Sequence, residues 1–129
     1  MSAEDVLAIH TLLADYNHLS DDGDAAAWAD LFTEDGWLDP GTMPKVAGHD
    51  ALVAWASAVP EMIPGARHLV TNVSVRVTGE VAVGRCYLQL WIPADGAFAL
   101  MMSGRYRDTF ARVGGEWRIA SRELFVDGA

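Results

Sequence analysis

Apolar residues recur every three or four positions along the opening stretch of the chain: Val6, Ile9, Leu13 and Tyr16, joined by Leu12 and Leu19. That period predicts an amphipathic helix. Ser2 is placed to cap its start with Asp5 reciprocating, and Gly23 ends it or its trailing turn. Asp24 is a good N-cap for a second, short helix, with Trp28, Leu31 and Phe32 as its apolar stripe and Gly36 closing it. Trp37-Leu38-Asp39-Pro40 reads as a short strand stopped by proline, followed by a loop from Gly41 to Lys45. Gly48-His49-Asp50 opens a third helix with Leu52, Val53 and Ala56 facing inward. Pro60 and Pro64 bracket its exit loop.

From Arg67 the pattern changes. Four extended runs follow, at about 67–78, 80–93, 97–112 and 116–126. Gly79-Glu80, Ala94-Asp95-Gly96 and Gly114-Gly115 separate them as hairpin turns. The second run alternates, with Ala82, Cys86, Leu88, Leu90 and Ile92 against Arg85, Tyr87, Gln89 and Trp91. Three helices followed by an antiparallel meander is an α+β pattern, here one domain over 1–129. A sheet this long must bury a face. Curled around the three N-terminal helices, it encloses a cone whose mouth is a natural small-molecule site.

The first extended run carries the candidate chemistry. Strict alternation places His68, Val70, Asn72, Ser74 and Arg76 on one face and Leu69, Thr71, Val73, Val75 and Val77 on the other. An imidazole and a carboxamide then stand side by side. The imidazole can exchange a proton near neutral pH, and the amide can orient a ligand. Such a pair is equally consistent with the solvated face of a half-buried strand. A pocket or bulk water in front of His68 decides between the two.

Composition narrows the function classes. The chain has 129 residues, 51% of them hydrophobic, with five Trp that suit a core or pocket of rigid rings. Eighteen acidic residues face nine basic ones, for a net charge of −9. Lys45 is the one lysine and the arginines are scattered, so nucleic acid and anionic membrane are not expected partners. Cys86 is the single cysteine, which excludes an internal disulfide and fits a reducing, cytoplasmic setting. The acidic Met-Ser-Ala-Glu-Asp start does not resemble a signal peptide, and Asn72-Val-Ser74 matches a glycosylation triplet by chance. His10, His18 and His49 lie far apart, and no zinc motif, nucleotide-binding glycine turn or nucleophile elbow occurs. No metal or cofactor is expected.

The order of elements, with Gly23-Asp24, Trp28, Leu31-Phe32, Gly48, Arg67-His68, Tyr106-Arg-Asp108 and Gly115-Glu-Trp117-Arg-Ile119, resembles the SnoaL-like branch of the nuclear transport factor 2-like superfamily. The landmarks span nearly the whole chain. The resemblance implies a cone-shaped α+β barrel with a pocket. Its elimination enzymes look most similar: scytalone dehydratase, bile-acid 7α-dehydratase and hexachlorocyclohexane dehydrochlorinase. They pair a helix-one aspartate with a strand histidine, positions that Asp21 and His68 occupy here. Tyr16 falls where the dehydratases have tyrosine. His68-Leu-Val-Thr-Asn72 resembles the dehydrochlorinase histidine run. Trp117-Arg-Ile-Ala-Ser-Arg122 resembles the stretch carrying its pocket arginine. Scytalone dehydratase has a second strand histidine that this chain lacks, where Tyr87, Gln89 and Trp91 are the available side chains.

The expected catalytic groups are therefore His68 as base, Asp21 as its partner and Tyr16 as a hydrogen-bond donor. Asn72, Arg122, Tyr87, Gln89 and Trp91 are the expected substrate-binding residues. Trp37, Trp55, Trp91, Met62, Met101 and Met102 as walls would favour a small apolar or ring-containing substrate. The expected activity is a cofactor-free, dehydratase-type lyase. A polyketide cyclase or ketosteroid-isomerase-like isomerase would use the same pocket, and a ligand-binding or assembly module would use it without turnover. The convex side of the sheet, with Phe98, Leu100 and Met102 or their alternates along the strand, is the expected surface of a homodimer.

Overall fold

In a computed structural model describing residues 2–129, Ser2 caps the first helix as its position predicts. Its hydroxyl accepts from the Asp5 amide at 3.1 Å and donates to the Asp5 carboxylate at 2.9 Å. The helix, α1 (Ala3–Asp22), buries Ile9, Leu12, Leu13 and Tyr16. Gly23 then takes a left-handed backbone at φ 77°, and its N–H returns to the Leu19 and Ser20 carbonyls. Asp24 accepts from the Ala27 amide at 3.3 Å and starts α2 (Ala25–Ala29).

The second helix is shorter than its apolar stripe predicts. Phe32 already belongs to β1 (Phe32–Asp39), because the Leu31 carbonyl accepts from the Ile119 amide at 2.8 Å and Phe32 stands in register with Ile119. Sheet pairing overrides local helix preference here. Gly36 lies inside that strand, where an added Cβ would sit 3.0 Å from the Ile119 carbonyl. β2 (Val46–Ala47) follows, then α3 (His49–Met62), which runs on through Pro60 instead of ending before it. The extended half forms β3 (Arg67–Thr78), β4 (Val81–Ala94), β5 (Ala97–Val113) and β6 (Glu116–Val126).

The sheet order is β2-β1-β6-β5-β4-β3. β3 to β6 form the expected antiparallel meander, but β1 joins β6 in parallel, so the sheet is mixed. β2 and β3 are its two edges, and the barrel is an open, curled sheet packed on three helices. Its inner face and the helices share a core in which Trp28 makes tilted ring contacts 5.1 Å from Tyr16 and 5.0 Å from Phe32, and Cys86, Leu88, Tyr106 and Leu124 form a second cluster. Among the described residues, no helix is long and apolar enough to cross a membrane.

β3 departs from strict alternation at one residue. Thr71 pairs with Tyr87 and Ser74 with Arg85, so β3 carries one residue more than β4 between those partners. This is a β-bulge, and Asn72 sits in it at φ 56°. The extra residue flips the parity of everything beyond it. Before the bulge His68 and Val70 turn inward; after it Val73, Val75 and Val77 do. Asn72, Ser74 and Arg76 are exposed. The expected shared face of His68 and Asn72 does not form, because burying the valines requires the switch.

Asparagine tolerates the left-handed region better than most residues, whereas a β-branched residue there pays about 1–2 kcal/mol. Asn72→Val should therefore lower unfolding stability by about that much, and Asn72→Gly should be near neutral. Urea denaturation of the two variants checks this, and equal midpoints would refute it.

Candidate functional site

Asp21 lies in the last turn of α1 and His68 near the start of β3, and the fold brings them together. His68 Nδ1 is 2.6 Å from Asp21 Oδ1. The same carboxylate accepts from the His68 backbone amide, at 3.1 Å to Oδ2 and 3.3 Å to Oδ1. Their side chains are only 13% and 19% exposed. One carboxylate thus fixes both the strand and the ring. A neutral imidazole bonded in this way carries its proton on Nδ1 and leaves the Nε2 lone pair available. Asp21 also stands at the negative end of the helix dipole, an unfavourable place for a carboxylate. The last turn of α1 holds no basic residue, so His68 is the cation-capable group that answers it.

His68 lines a cavity of about 210 Å³ between the helices and the inner face of the sheet. The polar side chains around it are Tyr16, Ser20, Thr42, His68 and Tyr106; the remainder of the wall is apolar or indole. Among the described residues, no carboxylate, lysine or arginine lines it. Of the expected aromatic and methionine walls, Trp55, Met62, Met101 and Met102 are present, while Trp37 and Trp91 are not. Both Met101 and Met102 reach the cavity because β5 carries an extra residue where Leu90 pairs with Met102 and Trp91 with Leu100.

Beneath the cavity is a buried polar cluster. Arg122 is wholly buried, and its guanidinium carbon lies 3.4 Å from the Tyr106 ring centroid and 4.4 Å from that of Tyr16. Nε donates to Asp108 Oδ1 at 2.9 Å, and Nη2 donates to Asp108 Oδ2 at 3.4 Å and to Cys86 Sγ at 3.3 Å. Nη1 is buried with no hydrogen-bond partner among the described residues. Desolvation works against the Arg122 charge, but Asp108, then Tyr106, Tyr16 and Cys86, together outweigh it and raise its pKa. Burial pushes the Tyr16 phenol above its ordinary value and the Tyr106 phenol well above it, so both stay protonated hydrogen-bond donors. Burial likewise pushes the Cys86 thiol up to about 11.

The expected binding residues fare unequally. Arg122 does not line the cavity and reaches it only through the faces of Tyr16 and Tyr106, because Asp108 already holds it. Asn72 is exposed beyond the bulge. Tyr87 and Gln89 point away from the cavity, since Cys86, Leu88 and Leu90 take the inward positions of β4. The Trp91 indole donates to Gln89 at 3.3 Å on that outer side. Tyr106 was missed as a site residue. Its signal was the alternation of Gly104, Tyr106, Asp108 and Phe110, which are all buried on β5. Among the described residues, no group of three or more His, Cys, Asp or Glu could hold a metal ion.

Comparison with known proteins gives a consistent result. The SnoaL-like domain family matches residues 1–123. An uncharacterized protein of Mycobacterium tuberculosis is 31% identical over 121 residues, spanning 92% of this chain and 82% of that protein. An NTF2-like protein with a cystatin-like fold from Novosphingobium aromaticivorans has a TM-score of 0.91 at 30% identity, over 98% of this chain and 84% of that one. A protein provisionally named a scytalone dehydratase, from the same organism, has a TM-score of 0.82 at 23% identity, over 95% of this chain and 83% of that one. At that identity the likeness is one of fold.

Removing one partner of a buried ion pair leaves an uncompensated charge and costs about 3–5 kcal/mol. Asp108→Ala should destabilise the chain by that amount, while Asp108→Leu combined with Arg122→Met should recover much of it. Denaturation of the single and double variants provides the measurement. A single variant costing under about 1 kcal/mol would show that the pair contributes no more than an exposed one.

Proposed function

The chain belongs to the SnoaL-like domain family, and from that premise we propose that it is a cofactor-free lyase removing water from a compact, neutral, ring-containing substrate. The family includes dehydratases and cyclases. The observation that carries the reading is the 2.6 Å contact between His68 Nδ1 and Asp21 Oδ1 at the wall of a largely apolar cavity lined, among the described residues, by no carboxylate, lysine or arginine.

In this reading His68 Nε2 takes a proton from a carbon next to a carbonyl. Asp21 stabilises the imidazolium that forms. The electron pair released by the C–H bond becomes the new double bond as the neighbouring C–O bond breaks. The imidazolium returns its proton to the departing hydroxide, so water leaves and His68 is neutral again. Tyr16, kept protonated by burial, donates to the carbonyl oxygen and lowers the energy of the enolate-like state. The cavity sets the substrate's size. A cavity of about 150 Å³ holds benzene, so about 210 Å³ suits one substituted ring or two small fused rings. An uncharged lining disfavours carboxylate substrates, since Arg122 is engaged elsewhere.

A panel of one- and two-ring β-hydroxy ketones, followed by mass spectrometry, tests the reading. Loss of one water from a panel member is expected. His68→Ala should reduce turnover by about 10²–10⁴-fold while keeping a folded circular dichroism spectrum and a cooperative melt. Undiminished turnover in that folded variant would remove His68 as the base. Deuterium uptake without mass loss would mark an isomerase or cyclase in the same pocket, and binding with neither would mark a module without turnover.

A further inference from the structure

The cavity beside His68 changes character with depth. Its floor is formed by buried side chains, among them Tyr16, Trp28, Leu88 and Tyr106. The His68 side chain stands between floor and mouth, 13% exposed. At the mouth are Met43, Met62 and Met101, which are 48%, 51% and 54% exposed and line the same cavity. They come from three separate elements: the loop between β1 and β2, the last residue of α3, and β5. Thr42 is the only other exposed residue of the described lining. The two phenols therefore lie deep, and the rim is largely thioether.

Methionine is placed selectively in this chain. There are five, and apart from Met1 all of them, Met43, Met62, Met101 and Met102, line this one cavity. Met102, expected on the convex side of the sheet, turns inward because of the extra residue in β5 between the partners of Leu90 and Trp91. One exposed apolar side chain needs no explanation. Three that converge on the mouth of a cavity form an apolar surface suited to being covered. Methionine is unbranched and flexible, so it adapts to apolar ligands of varied length. The ring inferred above fills about 210 Å³. What covers the rim is then the part of the same ligand that does not fit inside.

We propose that the substrate's ring carries a hydrocarbon chain opposite its carbonyl, and that this chain leaves the cavity between Met43, Met62 and Met101. Its orientation rests on the ring-carbonyl reading above. With the carbonyl at Tyr16 on the floor, the far end of the ring points to the mouth. A methylene chain matches a thioether rim. A charged or sugar-like substituent does not, because no carboxylate, lysine or arginine lines the cavity among the described residues and Thr42 is the one exposed hydroxyl of its wall.

Isothermal titration calorimetry with cyclohexanones bearing methyl, ethyl, propyl or butyl opposite the carbonyl tests the inference. These ketones have no hydroxyl to lose, so binding is read without turnover. Affinity should rise about threefold per methylene, or about 30-fold from methyl to butyl. The isomer with butyl beside the carbonyl drives its chain toward the floor and should bind no better than the methyl compound. Met62→Gln with Met101→Gln keeps side-chain length but not apolar character. That variant should flatten the series, with the largest loss for butyl; circular dichroism and a cooperative melt confirm that it folds. A flat series in the wild-type chain, the result expected if a protein partner or a membrane covers the rim, would overturn the inference. So would a rise that survives both substitutions, equal affinity for the two butyl isomers, or no binding by any member. A flat series alongside water loss from short-chain β-hydroxy ketones would remove the chain and leave the lyase. A rising series in a protein that eliminates no water would do the reverse.

Discussion

The grip of Asp21 on His68 joins the two halves of this molecule where the chemistry is proposed. A carboxylate at the end of α1 holds both the backbone amide and the ring of a residue near the start of β3. The backbone bonds place the strand against the helix end; the ring bond orients the imidazole toward the cavity. Neither bond works without the other, because a strand shifted by one residue would turn His68 outward. The same contact answers a local fault, a carboxylate placed where the helix dipole disfavours it.

Charge below the cavity is managed differently. Arg122 lies behind Tyr16 and Tyr106 and is held by Asp108, so its field reaches the interior through two phenol faces. Cation–ring contacts of this kind strengthen when water is excluded. The result is a cavity with protonated donors and one imidazole but no permanent charge in its wall.

Much of the fold was legible in the sequence because each signal was local. The Ser2 cap, the α1 stripe, the Asp24 cap and three of the hairpin turns depend on neighbours within a few residues. What failed depended on distant partners. Phe32 reads as helix until Ile119 is known to pair with it. The parallel placement of β1 beside β6 leaves no mark on β1 itself. In β3 the alternating pattern was real on both sides of Asn72 but belonged to opposite faces, and one left-handed residue is not visible in a string of letters. Arg122 shows the corresponding limit for the site. The same arginine serves as a ligand anchor or as a buried counter-ion depending on whether Asp108 can reach it, and that carboxylate lies on another strand.

Three positions break local preference without any local compensation: Asp21 at the wrong end of a helix, Asn72 with a left-handed backbone inside a strand, and Arg85 set opposite Arg107. Sequences tolerate such conflicts where something beyond the local element repays them. For Asp21 that is the imidazole across the helix–strand gap. For Asn72 it is the burial of Val73, Val75 and Val77 toward the core, which keeps His68 and the valines on one inner face despite their opposite parity. The arginine pair is answered less fully: among the described residues neither makes an ion pair, and Arg107 lies 5.2 Å from the Phe125 ring. A conflict resolved inside the molecule in this way builds its architecture or its site.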